Sequence, residues 1–184
     1  GFGRRKINGT ARELVNDMIY QVGALREFAR RHGAKLQHVK PHGALYMEMA
    51  VNPELAQLFV NYMRTTAPNA YIFCMAGSAT ETAAREAGHP VVREFYADRD
   101  YDESGSIVFT RDAGRPDPAA VARKVVRACK EGRVTAVSGK DIEVPFETIC
   151  FHSDTLGALD IVRNMREALI AEGIRISPIS EIVR

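Results

Sequence analysis

A chain of 184 residues can bury a sizeable core as one domain, and 46% hydrophobic with 26% charged residues is the composition of a soluble globular protein. The formal net charge of +2 is too small to argue for nucleic acid, and no basic run is interleaved with aromatic residues. No apolar run is long enough to cross a bilayer and no signal peptide is recognisable. Three widely spaced cysteines, Cys74, Cys129 and Cys150, suit reduced thiols in the cytoplasm better than a disulfide framework or a zinc site.

The chain opens Gly1-Phe2-Gly3-Arg4-Arg5 with no initiating methionine, so a fragment or a cleaved product is expected. Thr10 and Glu13 form a capping-box pattern ahead of Leu14, Met18, Val22, Leu25 and Phe28, and this helix should stop near Gly33 after Arg30, Arg31 and His32. A strand follows at His38–His42. In an extended strand, alternate side chains share a face, so His38, Lys40 and His42 should point the same way, about 6–7 Å apart. Pro41 would interrupt the ladder and Gly43 would turn the chain into a loop.

Asn52 with Pro53 predicts a second helix whose apolar stripe is Leu55, Leu58, Phe59, Tyr62 and Met63. The continuous apolar run Ala70–Ala76 reads as a buried strand. Ser78 with Glu81 opens a helix to about Ala87, and Val91–Tyr96 is the next strand. Residues 102–116 read as irregular, with a short strand at Ile107–Thr110. Asp117-Pro118 begins a further helix carrying Val121, Val125 and Ala128. Arg133–Val137 and Ile142–Val144 read as a hairpin, and Thr148–Phe151 as the last buried strand. A final amphipathic helix is expected near 156–172 and a terminal strand at Ile174–Ile176. Strands alternating with helices imply a parallel sheet with helical cover, in a single domain over 1–184.

Three strand ends carry polar groups: Lys40 with His42, Asp98 with Arg99, and His152 with Asp154. Parallel α/β folds gather functional groups at the carboxyl ends of their strands, so these residues are expected to converge in one pocket. Cys150, His152 and Asp154 share one parity, as do Glu94, Tyr96 and Asp98. Plainer roles suit other residues. His32 reads as a helix-end cation, His89 as a turn residue before Pro90, His38 as a satisfied core histidine and Cys150 as a small buried hydrophobe. Arg99 could pair with Asp98 or Asp100 in a surface network.

Sharper motifs fail. Asp98-x-Asp100-x-Asp102 starts like a calcium loop, but Glu103 stands at the glycine position and Phe109 at the closing glutamate. Gly139-Lys140 lacks the earlier glycine of a phosphate loop, which is Val134 here, and no Ser or Thr follows. Neither G-x-S-x-G nor H-E-x-x-H occurs.

His38-Val39-Lys40-Pro41-His42-Gly43-Ala44-Leu45-Tyr46 resembles the signature of the LamB/YcsF family. Glu94–Tyr101 and Cys150–Ala158 resemble two further blocks of that family, and Gly1–Arg5 resembles a loop that follows its third strand. Ser153 replaces the usual glycine and Met47 a common asparagine. The resemblance implies an irregular parallel β/α barrel of the glycoside hydrolase/deacetylase-like kind. It would be incomplete, because the family's first strands have no counterpart here; another chain would supply that edge, or the protein would be inactive.

The activity implied is ATP-dependent opening of the lactam of 5-oxo-L-proline to L-glutamate, together with partner subunits B and C of a 5-oxoprolinase. ATP and Mg2+ are the implied cofactors, without a recognised nucleotide motif. Lys40, His42, His152 and Asp154 would be catalytic, and Asp98, Arg99 and Tyr46 would bind substrate or nucleotide. A cation such as Lys40 or Arg99 would stabilise phosphate and oxyanion charge, and His42 and His152 would move protons. Asp154 or Asp98 would orient an imidazole or hold the magnesium ion of ATP. The rival enzymatic reading is a metal-dependent deacetylase using His42, His152 and Asp154. The non-enzymatic one is a truncated assembly protein whose open edge favours homo-oligomers.

Overall fold

The computed structural model describes residues 5–108 and 114–183. The expected loop at Gly1–Arg5, apart from Arg5, and Phe109 and Thr110 of the short strand expected at Ile107–Thr110 lie outside the described residues. The chain divides into two compact units, Gly1–Arg93 and Glu94–Arg184.

The first unit begins with α1 (Ala11–Arg31), whose start is fixed locally by the expected capping box. The Thr10 side chain accepts the Glu13 amide N–H, and the Glu13 carboxylate accepts the Thr10 amide N–H at 2.8 Å. Next come β1 (His38–Val39) and α2 (Gly43–Val51). The strand is thus shorter than expected, and a helix stands where a loop was expected. Gly43 has φ +59, a left-handed conformation that lets the chain turn directly from His42 into α2. Asn52 caps α3 (Pro53–Thr66) by accepting the Leu55 N–H.

Strand β2 (Tyr71–Met75) pairs in parallel with β1, His38 opposite Tyr71 and Val39 opposite Ile72. On its other side the Ile72 N–H donates to the Pro90 carbonyl, at the approach to β3 (Val91–Tyr96). Between them, α4 (Ala79–Glu86) is capped by Ser78, while Glu81 reaches the Gly77 N–H rather than the cap residue itself. Leu55, Phe59, Met63 and Ile72 are fully buried in this unit's core. Burying a leucine- or phenylalanine-sized side chain contributes about 1.5–3 kcal/mol, which is what fastens α3 to the strands. His89 is buried with Nε2 donating to the Ala70 carbonyl (2.9 Å), and burial lowers its pKa. His38 is exposed and stacked on Phe73 at 4.1 Å between ring centroids, so it is not the core histidine expected.

In the second unit, β3 continues through Glu94–Tyr96 and pairs in parallel with β6 (Thr148–Cys150). Helix α5 (Pro118–Glu131) is capped by Asp117, which accepts the Ala119 and Ala120 N–H groups. The hairpin of β4 (Arg133–Thr135) and β5 (Asp141–Glu143) is antiparallel as expected. Helix α6 (Ala158–Ala171) packs on α5. Its cap is Gly157 at φ +80, where an added Cβ would also meet Arg115 Nε at 3.3 Å. Phe95, Tyr96, Tyr101, Val125 and Ile161 are fully buried.

Two expectations fail here. Residues 148–150 are half-buried and Phe151 is exposed, so β6 is not a fully buried strand and Cys150 is not a buried hydrophobe. Ile174–Ile176 is not a strand; the chain ends instead in the short helix α7 (Ile179–Ile182). The β-branched alternation there fits a strand pattern, but among the described residues no strand pairs with it. In the irregular segment, Ile107 forms an isolated antiparallel bridge with Tyr101.

Candidate functional site

In the second unit the β3–β6 ladder sets the geometry. Its partners are Glu94 with Thr148, Phe95 with Ile149 and Tyr96 with Cys150. The Ala97 N–H then donates to the Cys150 carbonyl at 2.8 Å, extending the pairing beyond both strands. The same register, carried two residues further, sets Asp98 opposite His152. Because the strands are parallel, both residues stand at carboxyl ends, the edge where α/β folds hold their reactive groups.

Asp98 has a completely buried side chain, and four donors converge on it. His152 Nδ1 donates to Oδ1 at 2.9 Å. Oδ2 accepts the His152 backbone N–H at 3.1 Å, Thr155 Oγ1 at 2.6 Å and Arg99 Nη1 at 3.0 Å. Arg99 Nη1 also donates to Thr155 Oγ1 at 3.1 Å. Burial alone would raise the carboxyl's pKa. The hydrogen bonds from His152 and Thr155, with the electrostatic influence of His152 and Arg99, overcome it and hold the group at about 2.

Asp98 is therefore ionised at neutral pH. An ionised carboxylate offers about four lone-pair positions; three protein donors share Oδ2 and one takes a position on Oδ1. Through Oδ1 it orients the imidazole. With Nδ1–H given to Asp98, Nε2 is the ring nitrogen left for chemistry. Asp154 is exposed in the turn after His152. Of the two carboxylates weighed for orienting an imidazole, the one bonded to His152 is Asp98. Arg99, with its side chain only 10% exposed, belongs to this buried network and not to a surface one.

Lys40, His42 and Tyr46 belong to the first unit. Lys40 is half-buried, its Nζ 5.6 Å from the centre of the buried Tyr46 ring, a cation–π distance. His42 is the exposed N-cap of α2, and its ring makes no capping hydrogen bond. With β1 ending at Val39, the shared face expected for His38, Lys40 and His42 is not a strand face. Lys40 and His42 border a cavity of about 540 Å³ floored by apolar side chains of α1, among them Leu14, Met18 and Val22. Among the described residues, no group of three or more His, Cys, Asp or Glu side chains is placed to hold a metal ion.

Sequence reasoning missed two residues. Thr155 carries no distinguishing signal in Ser153-Asp154-Thr155. Lys124 does carry one: it lies at helical spacing from Val121, Val125 and Ala128, a charged residue on the buried stripe of α5.

The sequence model of the LamB/YcsF family matches residues 1–184. The chain is 58% identical over 176 residues to a 5-oxoprolinase A subunit of Pseudomonas aeruginosa, covering 96% of this chain and 70% of that protein. It is 39% identical to the 5-oxoprolinase A subunit of Natranaerobius thermophilus, over 96% of this chain and 69% of that one. Among solved structures, the lactam utilization protein from Thermus thermophilus superposes with a TM-score of 0.87 at 35% identity, covering 96% of this chain and 71% of that one. The fold class is accordingly the parallel α/β one read from the sequence, an incomplete β/α barrel. On the family match and these identities, the chain belongs to the LamB/YcsF family.

Proposed function

We propose that this chain is the A subunit of an ATP-dependent 5-oxoprolinase, hydrolysing the lactam of 5-oxo-L-proline to L-glutamate together with subunits B and C. The relatives' names support the assignment, and the observation that carries it chemically is the buried Asp98–His152 pair.

An unactivated lactam is a poor electrophile. ATP, with Mg2+, would supply a phosphoryl group to the lactam oxygen, which makes the carbonyl carbon a better electrophile. The residues of this chain handle the protons and the charge. His152, held through Nδ1, uses Nε2 to take a proton from the attacking water and return one to the ring nitrogen as the C–N bond opens; a second water then hydrolyses the acyl phosphate left behind, releasing phosphate and giving glutamate. Asp98 stabilises the imidazolium that forms in between. A cation, Lys40 or Arg99, offsets anionic charge on the reacting oxygen. His42 acts as the second proton carrier, and Tyr46 packs beneath Lys40. Asp154, exposed beside His152, is the carboxylate that would meet the magnesium–nucleotide. The chain works as a single functional domain in the cytoplasm.

The test is glutamate formation from 5-oxoproline with subunits B and C added. Turnover should require ATP, and Lys40→Ala, His42→Ala and His152→Ala should each reduce kcat by about 10²–10⁴. Unchanged turnover in Lys40→Ala and His42→Ala would refute the assignment. Hydrolysis that needs a bound metal but no ATP would favour the deacetylase reading instead.

A further inference from the structure

Lys124 rises from the buried stripe of α5 and ends under the turn that follows β3. Its Nζ donates to the carbonyls of Tyr96 (3.3 Å) and Ala97 (3.1 Å), and to that of Arg99. These are the carbonyls on either side of Asp98. The same ammonium lies 5.6 Å from the Phe95 ring centre and 5.4 Å from that of Tyr101, both fully buried.

Three carbonyl oxygens pointing at one place need a donor, because unpaired buried carbonyls are costly and repel one another. A lysine is the side chain that brings three donors on a long stem. The Tyr96 N–H is separately donated to the Tyr101 hydroxyl at 2.7 Å, so the backbone at the strand's end is held on both its N–H and its carbonyl side.

We propose that Lys124 is a positioning residue whose ammonium gathers the carbonyls of Tyr96, Ala97 and Arg99 and so fixes the turn that presents Asp98 to His152. It touches neither Asp98 nor His152 by a direct hydrogen bond; it acts through the main chain between residues 96 and 99. Its role in turnover rests on the proposed function, whereas its effect on the turn does not.

Amide hydrogen exchange in the 184-residue chain separates the two. The His152 N–H, bonded to Asp98 Oδ2, reports the presentation of Asp98. The Ile161 N–H, bonded to the Gly157 carbonyl in α6, reports the unit as a whole. In Lys124→Met, His152 exchange should rise about tenfold or more while Ile161 holds its wild-type rate. Should Lys124→Met fail to fold, Lys124→Gln is read the same way, with the same direction expected. Unchanged His152 exchange in a folded variant would overturn the proposal. So would an equal acceleration at Ile161, which would make Lys124 a general core residue. In the assembled enzyme, kcat should fall while KM for 5-oxoproline stays near its wild-type value; a change confined to KM would also count against it. If the wild-type assembly makes no glutamate, the functional reading fails, and the exchange experiment still decides the role of Lys124.

Discussion

Replacing Asp98 by asparagine keeps shape and volume while removing one buried negative charge, so its cost can be worked from the site. The carboxyl's pKa falls from 3.8 to about 2 in the folded chain. That shift corresponds to about 2 kcal/mol of folding stability at neutral pH. A depressed carboxylate contributes fully above its unfolded pKa and loses its contribution as pH falls through its folded value. The wild type should therefore lose this increment between about pH 4 and pH 2. Asp98→Asn should lack it at every pH, showing roughly 2–3 kcal/mol lower stability at pH 7 and a flatter acid limb. For a chain of this length that is a fall of about 5–10 °C in Tm.

The variant should also lose turnover beyond its lost stability. The asparagine oxygen can keep Arg99, Thr155 and the His152 N–H, but its amide must then face the imidazole. Nδ1 becomes the acceptor, the hydrogen moves to Nε2, and the base is spent. A reduction of about two or more orders of magnitude in kcat is expected. Urea unfolding at a series of pH values, with glutamate formation measured in parallel, tests both parts. If Asp98→Asn were as acid-sensitive as the wild type between about pH 4 and pH 2, or kept its turnover, the account of this pair would be wrong.

Thr155→Val removes a donor to Asp98 and an acceptor for Arg99 without changing volume, and should cost about 1–2 kcal/mol in urea unfolding at pH 7. Gly43→Ala asks a side chain to adopt φ +59 and should cost about 1–2 kcal/mol, seen as a lower Tm; an unchanged Tm would mean the turn into α2 relaxes. Burial drives the Lys124 ammonium down to about 8, against the raising influence of Asp100 and Asp98 and with Arg99 lowering it further. Between about pH 8 and its unfolded value of 10.5 the unfolded chain binds more protons, so the contribution of this group makes stability rise with pH there. Lys124→Met should lack that rise, and an identical slope in both proteins would contradict the burial argument.

What the sequence made legible was mostly local. Thr10 with Glu13, Asn52 with Pro53 and Asp117 with Pro118 each satisfy helix-end donors within a few residues, so the pattern and the bond are nearly the same thing. Helix α2 was hidden because Gly43 looked like a loop glycine and Ala44–Val51 has no polar face to set a period: most of its residues are half-buried. Strand ends bearing His152 and Asp98 could be named from the sequence. That these two pair, and that Asp154 is not the carboxylate on Nδ1, depends on which strands neighbour each other and in what register. The convergence of Thr155, Arg99 and Lys124 on one turn is likewise a property of tertiary packing, with only the misplaced charge on α5 to hint at it.

Since the Asp98–His152 bond continues the β3–β6 ladder, it inherits the ladder's intolerance of slippage. Inserting or deleting one residue between 94 and 98, or between 148 and 152, would swing the acid or the imidazole to the opposite side of the sheet. Lengthening the β4–β5 turn at Ser138–Lys140 would leave that bond untouched. Diversity of chain length in this half of the molecule should therefore collect at the hairpin tip and spare both strands.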